Sequence, residues 1–297
     1  MSRFRVAGFA AIAASASVLL AAPALGADDF VAPSDTRAFL EEVRKNLTSD
    51  DLLLDQYTFT ETFREARLDS KGGIKKSKIE TYEVYPSLQP GKMYRRLVAR
   101  NGSPLPESEL AEQDRRQEAK TEEKERRLAA EDEAARARRL ARREESKRKE
   151  RAVIDEIFRM DDIAVVGRES IDGRPTIVVA FAPRPGYRPE TQGGKVIQKL
   201  AGRAWIDEQD RQLVRLEARL LDSLGVGPAK LARLQKGATA YFQRRKVNGE
   251  IWLPTEARFT GAAKAFLLFG ARLDVHSTYG DYKKFTVGTQ EEITTPE

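Results

Sequence analysis

Gly202-Arg-Ala-Trp-Ile-Asp207 turns through Glu208-Gln-Asp210 and returns as Gln212-Leu-Val-Arg-Leu-Glu-Ala-Arg-Leu-Leu221. In the return run Val214, Leu216, Ala218 and Leu220 alternate with Arg215, Glu217 and Arg219. That period of two belongs to a strand with one apolar and one wet face. Runs of the same kind follow at 238–247, 251–260, 263–276 and 277–285. Asn248-Gly249 joins the first two, and both central residues of a type I′ hairpin turn need positive φ. The C-terminal third therefore reads as an antiparallel meander around one apolar surface.

Upstream, Phe39, Leu40, Val43 and Leu47 recur at helical spacing over 35–47, opposite Glu41, Glu42, Arg44 and Lys45. This is an amphipathic helix capped by Ser34 or Asp35. Its stripe either packs on a sheet or covers a cavity. Strands are expected at 56–67, with Tyr57, Phe59 and Phe63 on one face, and at 76–85 and 93–101. Another hairpin, 163–171 with 176–182, turns at Asp172-Gly173. A short helix is expected at 195–200, and a helical turn through Leu231 and Leu234.

Between the meanders, 107–151 holds 14 acidic and 15 basic residues and no apolar stripe. Glu112/Arg116, Glu122/Arg126, Glu123/Arg127, Asp132/Arg136, Glu144/Arg148 and Glu145/Lys149 are i,i+4 pairs, each worth roughly 0.2–0.5 kcal/mol in a helix. One long solvated helix, at about 1.5 Å per residue, is the expectation. It docks at its end through Val153, Ile154, Ile157 and Phe158.

Arg3 and Arg5 precede an apolar run from Val6 to Ala22 and small residues up to Ala27, the form of a cleaved secretory signal. Without those two arginines, 50 basic residues face 46 acidic ones, a surplus too mild to argue for nucleic acid. There is no cysteine, hence no disulfide and no site for a lipoprotein anchor. A soluble periplasmic product is expected. The basic run Arg136–Arg143 with Lys147–Lys149 could meet anionic lipid headgroups or an envelope protein.

No chemistry assembles from the residues. His276 is the single histidine and lies inside a strand pattern next to Ser277. Asp207, Glu208 and Asp210 suit a tight turn before they suit a metal. No Gly-rich turn joins a strand to a helix. The chain reads as a binder and not an enzyme, with no cofactor and no metal.

The stretches Gly202-Arg-Ala-Trp-Ile-Asp207, Arg215-Leu-Glu217, Trp252-Leu-Pro254 and Tyr279-Gly-Asp-Tyr-Lys-Lys-Phe285 resemble the periplasmic lipoprotein-carrier superfamily, the LolA/LolB-like outer-membrane lipoprotein-sorting proteins. The resemblance spans 35–285 apart from the charged segment, which has no counterpart in those carriers. It implies a half-open antiparallel β-barrel with a helical lid, carrying lipid chains or lipidated peptides. Mainly β with α is thus the expected class, carrying a long charged helical insertion. The expected divisions are a signal at 1–27, a first meander with its helix at 28–105, the insertion at 106–160, a second meander at 161–286 and a tail at 287–297. Lipid acyl chains would be bound by apolar burial, at about 0.8 kcal/mol per methylene. Val214, Leu216, Leu220, Phe259, Leu267 and Phe269 are the expected lining, with Phe39, Leu40 and Val43 from the lid. The alternative is an envelope interaction or sensor module working through the charged segment.

Overall fold

The computed structural model describes residues 35–47, 56–87, 92–226, 232–265 and 269–284. The proposed signal, Leu267 and the tail lie outside them, as does the side chain of Phe269. Within the described residues the chain is mainly β, built on one large antiparallel sheet.

The first meander is β1 (Tyr57–Leu68), β2 (Ile74–Pro86), β3 (Met93–Arg100) and the two-residue β4 (Ser103–Pro104). The second begins with β5 (Asp161–Ile171), β6 (Arg174–Pro183), β7 (Leu200–Asp207) and β8 (Leu213–Leu220). It continues through β9 (Leu224–Val226) and β10 (Ala232–Leu234) to β11 (Thr239–Val247), β12 (Ile251–Ala265) and β13 (Phe269–Lys284). The sheet order is β4-β3-β2-β1-β13-β12-β11-β8-β7-β6-β5, with β10 pairing β12 and β9. Because β13 returns to pair β1, the two meanders form one sheet. Its end strands do not pair with each other, which leaves the barrel half open.

Turn chemistry holds the register. Asn248 and Gly249 take φ of 52° and 71°, and Asp172 and Gly173 take 51° and 75°, as type I′ turns require. At Gly202 a Cβ would meet the Glu217 carbonyl oxygen at 1.7 Å, so β7 and β8 approach closely only with glycine there.

Several elements differ from expectation. The strands expected at 263–276 and 277–285 are one strand, β13, preceded by a longer β12. Of the helical turn expected through Leu231 and Leu234, Leu231 lies outside the described residues and Leu234 belongs to β10, because 232–234 pairs with the end of β12. The short helix begins three residues early, as α4 (Gln192–Ile197) below.

The charged segment is two helices and not one. The first meander's helix is α1 (Thr36–Asn46), with Asp35 as its cap. The segment itself forms α2 (Glu107–Ala129) and α3 (Glu133–Met160). Asp132 breaks it by accepting a hydrogen bond from the Ala135 amide as an N-cap, which takes it away from an Arg136 pair. Glu112–Arg116 and Glu145–Lys149 do form, at 2.6 and 2.7 Å. Beyond the break the chain folds back: Arg139 reaches Glu131, and the charges of Arg127 and Arg139 act on Lys124. A straight helix would hold Lys124 and Arg139 about 22 Å apart.

The roots of this helical pair sit on opposite edges of the sheet. On α2, Gln113 exchanges hydrogen bonds with both the N–H and the C=O of Leu97, and Asp114 forks onto Arg96. That satisfies part of an otherwise open edge at β3. At the other root α3 runs directly into β5, with Met160 fully buried. Nearby, Glu156 accepts from the Thr191 hydroxyl and the amides of Glu190 and Thr191. Burial alone would raise the Glu156 pKa, but these donors leave it below its ordinary value.

Candidate functional site: the inner face of the sheet

Directly opposed residues in a sheet share a face, so ladder register identifies the inner face. One row crosses nine strands: Val165, Val179, Ala204, Leu216, Phe242, Ala257, Ser277, Phe63 and Glu80. A second runs Phe181, Gly202, Ala218, Ala240, Phe259, Val275, Glu65 and Lys78. Both begin apolar at β5 and β6 and end ionic at β2.

Over β5 to β8 this face is filled. Phe39 and Val43 of α1, Met160 of α3 and Ile197 of α4 close a core with Ile177, Val179, Phe181, Ala204, Ile206, Leu216 and Ala218. Leu40 packs on its margin. Polar contacts hold α1 in place. Glu42 pairs with Arg211 at 2.7 Å, Arg44 with Asp155 at 2.9 Å, and Asn46 donates to the Asp210 carbonyl at 3.0 Å.

Farther along, from β11 through β13 to β1 and β2, the inner residues are different. Phe242, Ala257, Phe259, Val275, Phe63, Tyr82 and Tyr279 are only half-buried. Helix packing concentrates on β5 to β8 instead. The β9–β10 hairpin closes one end, where Leu224 and Leu234 pack with Leu200, Leu220, Ala238 and Phe259.

Toward β2 and β3 the floor becomes ionic. Glu61, 7% exposed, accepts from the Ser277 hydroxyl at 3.1 Å and pairs with Arg95 Nε at 2.7 Å. Arg95 lies 3.9 Å from the Tyr82 ring centroid and 5.9 Å from that of Phe63. Lys78 approaches Phe63 at 5.3 Å and bridges to Glu80 at 3.1 Å and Glu65 at 3.6 Å. Burial and the Glu80 carboxylate push the Tyr82 phenol up to about 12. Burial and the charge of Glu61 do the same to Tyr279. Both phenols therefore stay neutral at any physiological pH. Near the β11 end of the floor, Arg244 donates to the Leu213 carbonyl and to Gln212, and burial lowers its pKa to about 10.

The expected lining residues separate accordingly. Phe39, Val43 and Leu216 lie in the filled core, with Leu40 beside it. Leu220 and Phe259 belong to the cluster at the closed end. Val214 is a correction: it faces the opposite side, packed with Ile171, Val178 and Trp205. A bulge between β7 and β8 pairs Trp205 with Arg215 but Ile206 with Leu213, leaving Val214 as the extra residue. On the inner side, α1, α3 and α4 cover the part over β5 to β8. Two cavities, about 230 and 250 Å³, sit at opposite strand ends, around Trp252 and around Ala262, away from this floor. Glu61, Arg95 and Tyr82 were missed. A carboxylate in phase with Tyr57, Phe59 and Phe63 was the available signal.

The polar residues weighed for catalysis are otherwise engaged. His276 pairs with Glu256 at 2.8 Å, whereas Ser277 turns to the inner face and Glu61. Asp207 is fully buried and forks onto Arg174, Glu208 pairs with Arg168, and Asp210 meets Trp252 and Lys246. Among the described residues no group of His and carboxylates is placed to hold a metal.

No protein-family model matches the chain, and no curated protein does. Solved structures similar to it include a DUF1329 family protein from Desulfovibrio piger, 12% identical over 85% of this chain and 94% of that one, with a TM-score of 0.29. Another is a putative outer membrane lipoprotein-sorting protein domain from Vibrio parahaemolyticus, 8% identical over 85% and 93%, with a TM-score of 0.31. A third is the Pseudomonas aeruginosa MucA/MucB complex, 10% identical over 84% and 98%, with a TM-score of 0.24.

Proposed function

We propose that this chain is a binding and carrier protein of the bacterial envelope, seating lipid acyl chains along the uncovered part of its inner face. The observation that carries this reading is the pair of cross-sheet rows. Their middle, Ala257 and Val275, is apolar and half-buried, flanked by Phe242 at the margin of the helical core and Phe259 at the hairpin cluster. Half-buried aromatic and aliphatic side chains in contiguous rows gain most from an apolar partner, at about 25 cal/mol per Å² covered. Displacing α1 would extend the same floor to Leu216, Ala204 and Val179. Its exposed ion pairs oppose that displacement only weakly. The signal-like N-terminus and the lipoprotein-carrier resemblance support the periplasm as the site of action.

The test is uptake of a fluorescent fatty acid, together with mass spectrometry of lipid retained by protein purified from its own cells. Ala257→Trp places an indole on the floor and should abolish most of the uptake while leaving the circular dichroism unchanged. Protein that retains no lipid and takes up no fatty acid ends this reading. A second reading has its own observation: from Arg136 to Ala152 every residue of α3 is exposed. A helical pair projecting in this way suits contact with an envelope protein or an anionic surface. Lipid uptake that survives its shortening while the cellular phenotype is lost would favour that reading.

A further inference from the structure

The ionic end of the inner face carries information about the ligand's head, and the inference from it rests on the acyl-chain reading above. Six charged side chains share the face there: Glu61, Glu65 and Glu80 with Lys78, Arg95 and Arg100, which opposes Glu80 in the ladder and is itself paired with Glu109 of α2. They surround two aromatic rings. Arg95 stacks on Tyr82 and reaches Phe63, and Lys78 approaches Phe63 as well. Lys78 and Arg95 remain 45% and 40% exposed at their side chains, whereas Glu61 is 9% and Glu80 20% exposed. The carboxylates are thus set into the floor and the cations stand above it.

The set carries three negative charges and three positive ones. A purely anionic head would leave the carboxylates of the floor without a new partner; a purely cationic head would meet Lys78 and Arg95 first. A head bearing both signs matches each. Its ammonium fits the aromatic faces and the carboxylates, a pairing that Lys78 and Arg95 already make within the protein. Its phosphate fits the exposed guanidinium and ammonium. We propose that this end of the inner face is a subsite for a zwitterionic, amine-bearing phospholipid head. The acyl chains then run along Val275, Phe259 and Phe242 toward the helical cover.

The experiment compares lysophospholipids of one acyl chain, differing only in head, as competitors of a bound fluorescent fatty acid. Lysophosphatidylethanolamine is expected to bind about tenfold tighter than lysophosphatidylglycerol, the size of one charge-assisted hydrogen bond. Glu61→Gln and, independently, the more accessible Glu80→Gln should reduce that preference. Equal affinity for the two heads, or a preference for the anionic one, overturns the head-group inference and leaves acyl-chain binding intact. Binding of none of the probes defeats both. Free phosphoethanolamine competing as well as the lipid overturns a membrane source for the ligand.

Discussion

The two halves of the sheet share one inner face and treat it in opposite ways. Over β5 to β8, helices bring Phe39, Val43, Met160 and Ile197 down onto Val179, Phe181 and Leu216, and the core is closed. Over β11 to β2, residues of equal size such as Phe242, Phe259 and Phe63 stay half-buried, and Glu61 is set among them. The first half is built for stability. The second keeps apolar surface available and marks its far end with charge. The proposed carrier role would need both, because a floor that accepts a foreign chain cannot also be the only core.

The sharpest way to break this comparison is to truncate one phenylalanine in each half. Phe181→Ala should cost about 3–5 kcal/mol in denaturant unfolding, since it opens a cavity in a closed core. Phe63→Ala should cost about 1 kcal/mol, because its ring is already part-solvated. Equal losses would mean that the second half is packed as tightly as the first.

Acid should loosen a tie within the closed half. Asp207, between β7 and the turn after it, accepts two hydrogen bonds from Arg174 and the amides of Gln209 and Asp210. Burial would raise its pKa, but Arg174 and those amides hold it below the ordinary 3.8. With the folded value depressed, its contribution is complete above pH 3.8 and is lost as pH falls through the folded value. Asp207→Asn should therefore cost about 2–3 kcal/mol at neutral pH. The gap in denaturation midpoint from wild type should close below pH 3.8; a gap constant down to pH 2 would exclude this source.

Much of this architecture is legible in the residues. Alternation along Val214 to Leu220 and the Asn248-Gly249 turn locate strands and a hairpin that the structure contains. What alternation cannot show is a bulge. One inserted residue reverses the phase, so Val214 reads as inner and lies outside. The break at Asp132 was present as a good N-cap, but an i,i+4 count assigns the same carboxylate to Arg136. Glu61 could have been found as the charged member of an apolar face. Arg95 could not, because its approach to Glu61 depends on strands pairing across β2.

A smaller effect separates lid from core. Glu42→Gln removes the Arg211 pair that fastens α1 to the β7–β8 turn. Both side chains are part-exposed, so stability should fall by only about 0.2–1 kcal/mol. If α1 is the gate between the halves, fatty-acid uptake should nonetheless become faster in stopped-flow fluorescence. An unchanged rate would make α1 a fixed part of the core and confine the ligand to the uncovered half.

The smallest expected change comes from the largest deletion. Replacing 120–143 with a short Gly-Ser turn removes the tip of the α2–α3 pair and leaves its roots, Gln113 on Leu97 and Glu156 on Thr191. No side chain of α2 is buried, and α3 buries only Glu156 and Met160. Surface segments of this kind shift stability by about 0.5 kcal/mol or less, so the melting temperature should hold within about 2 °C. A large loss of stability would show that the helices brace the two edges of the open sheet, β3 at one root and β5 at the other. The asymmetry between the halves would then depend on that brace. With stability intact, a loss of partner or membrane association would assign that task to the tip, leaving ligand binding to the sheet.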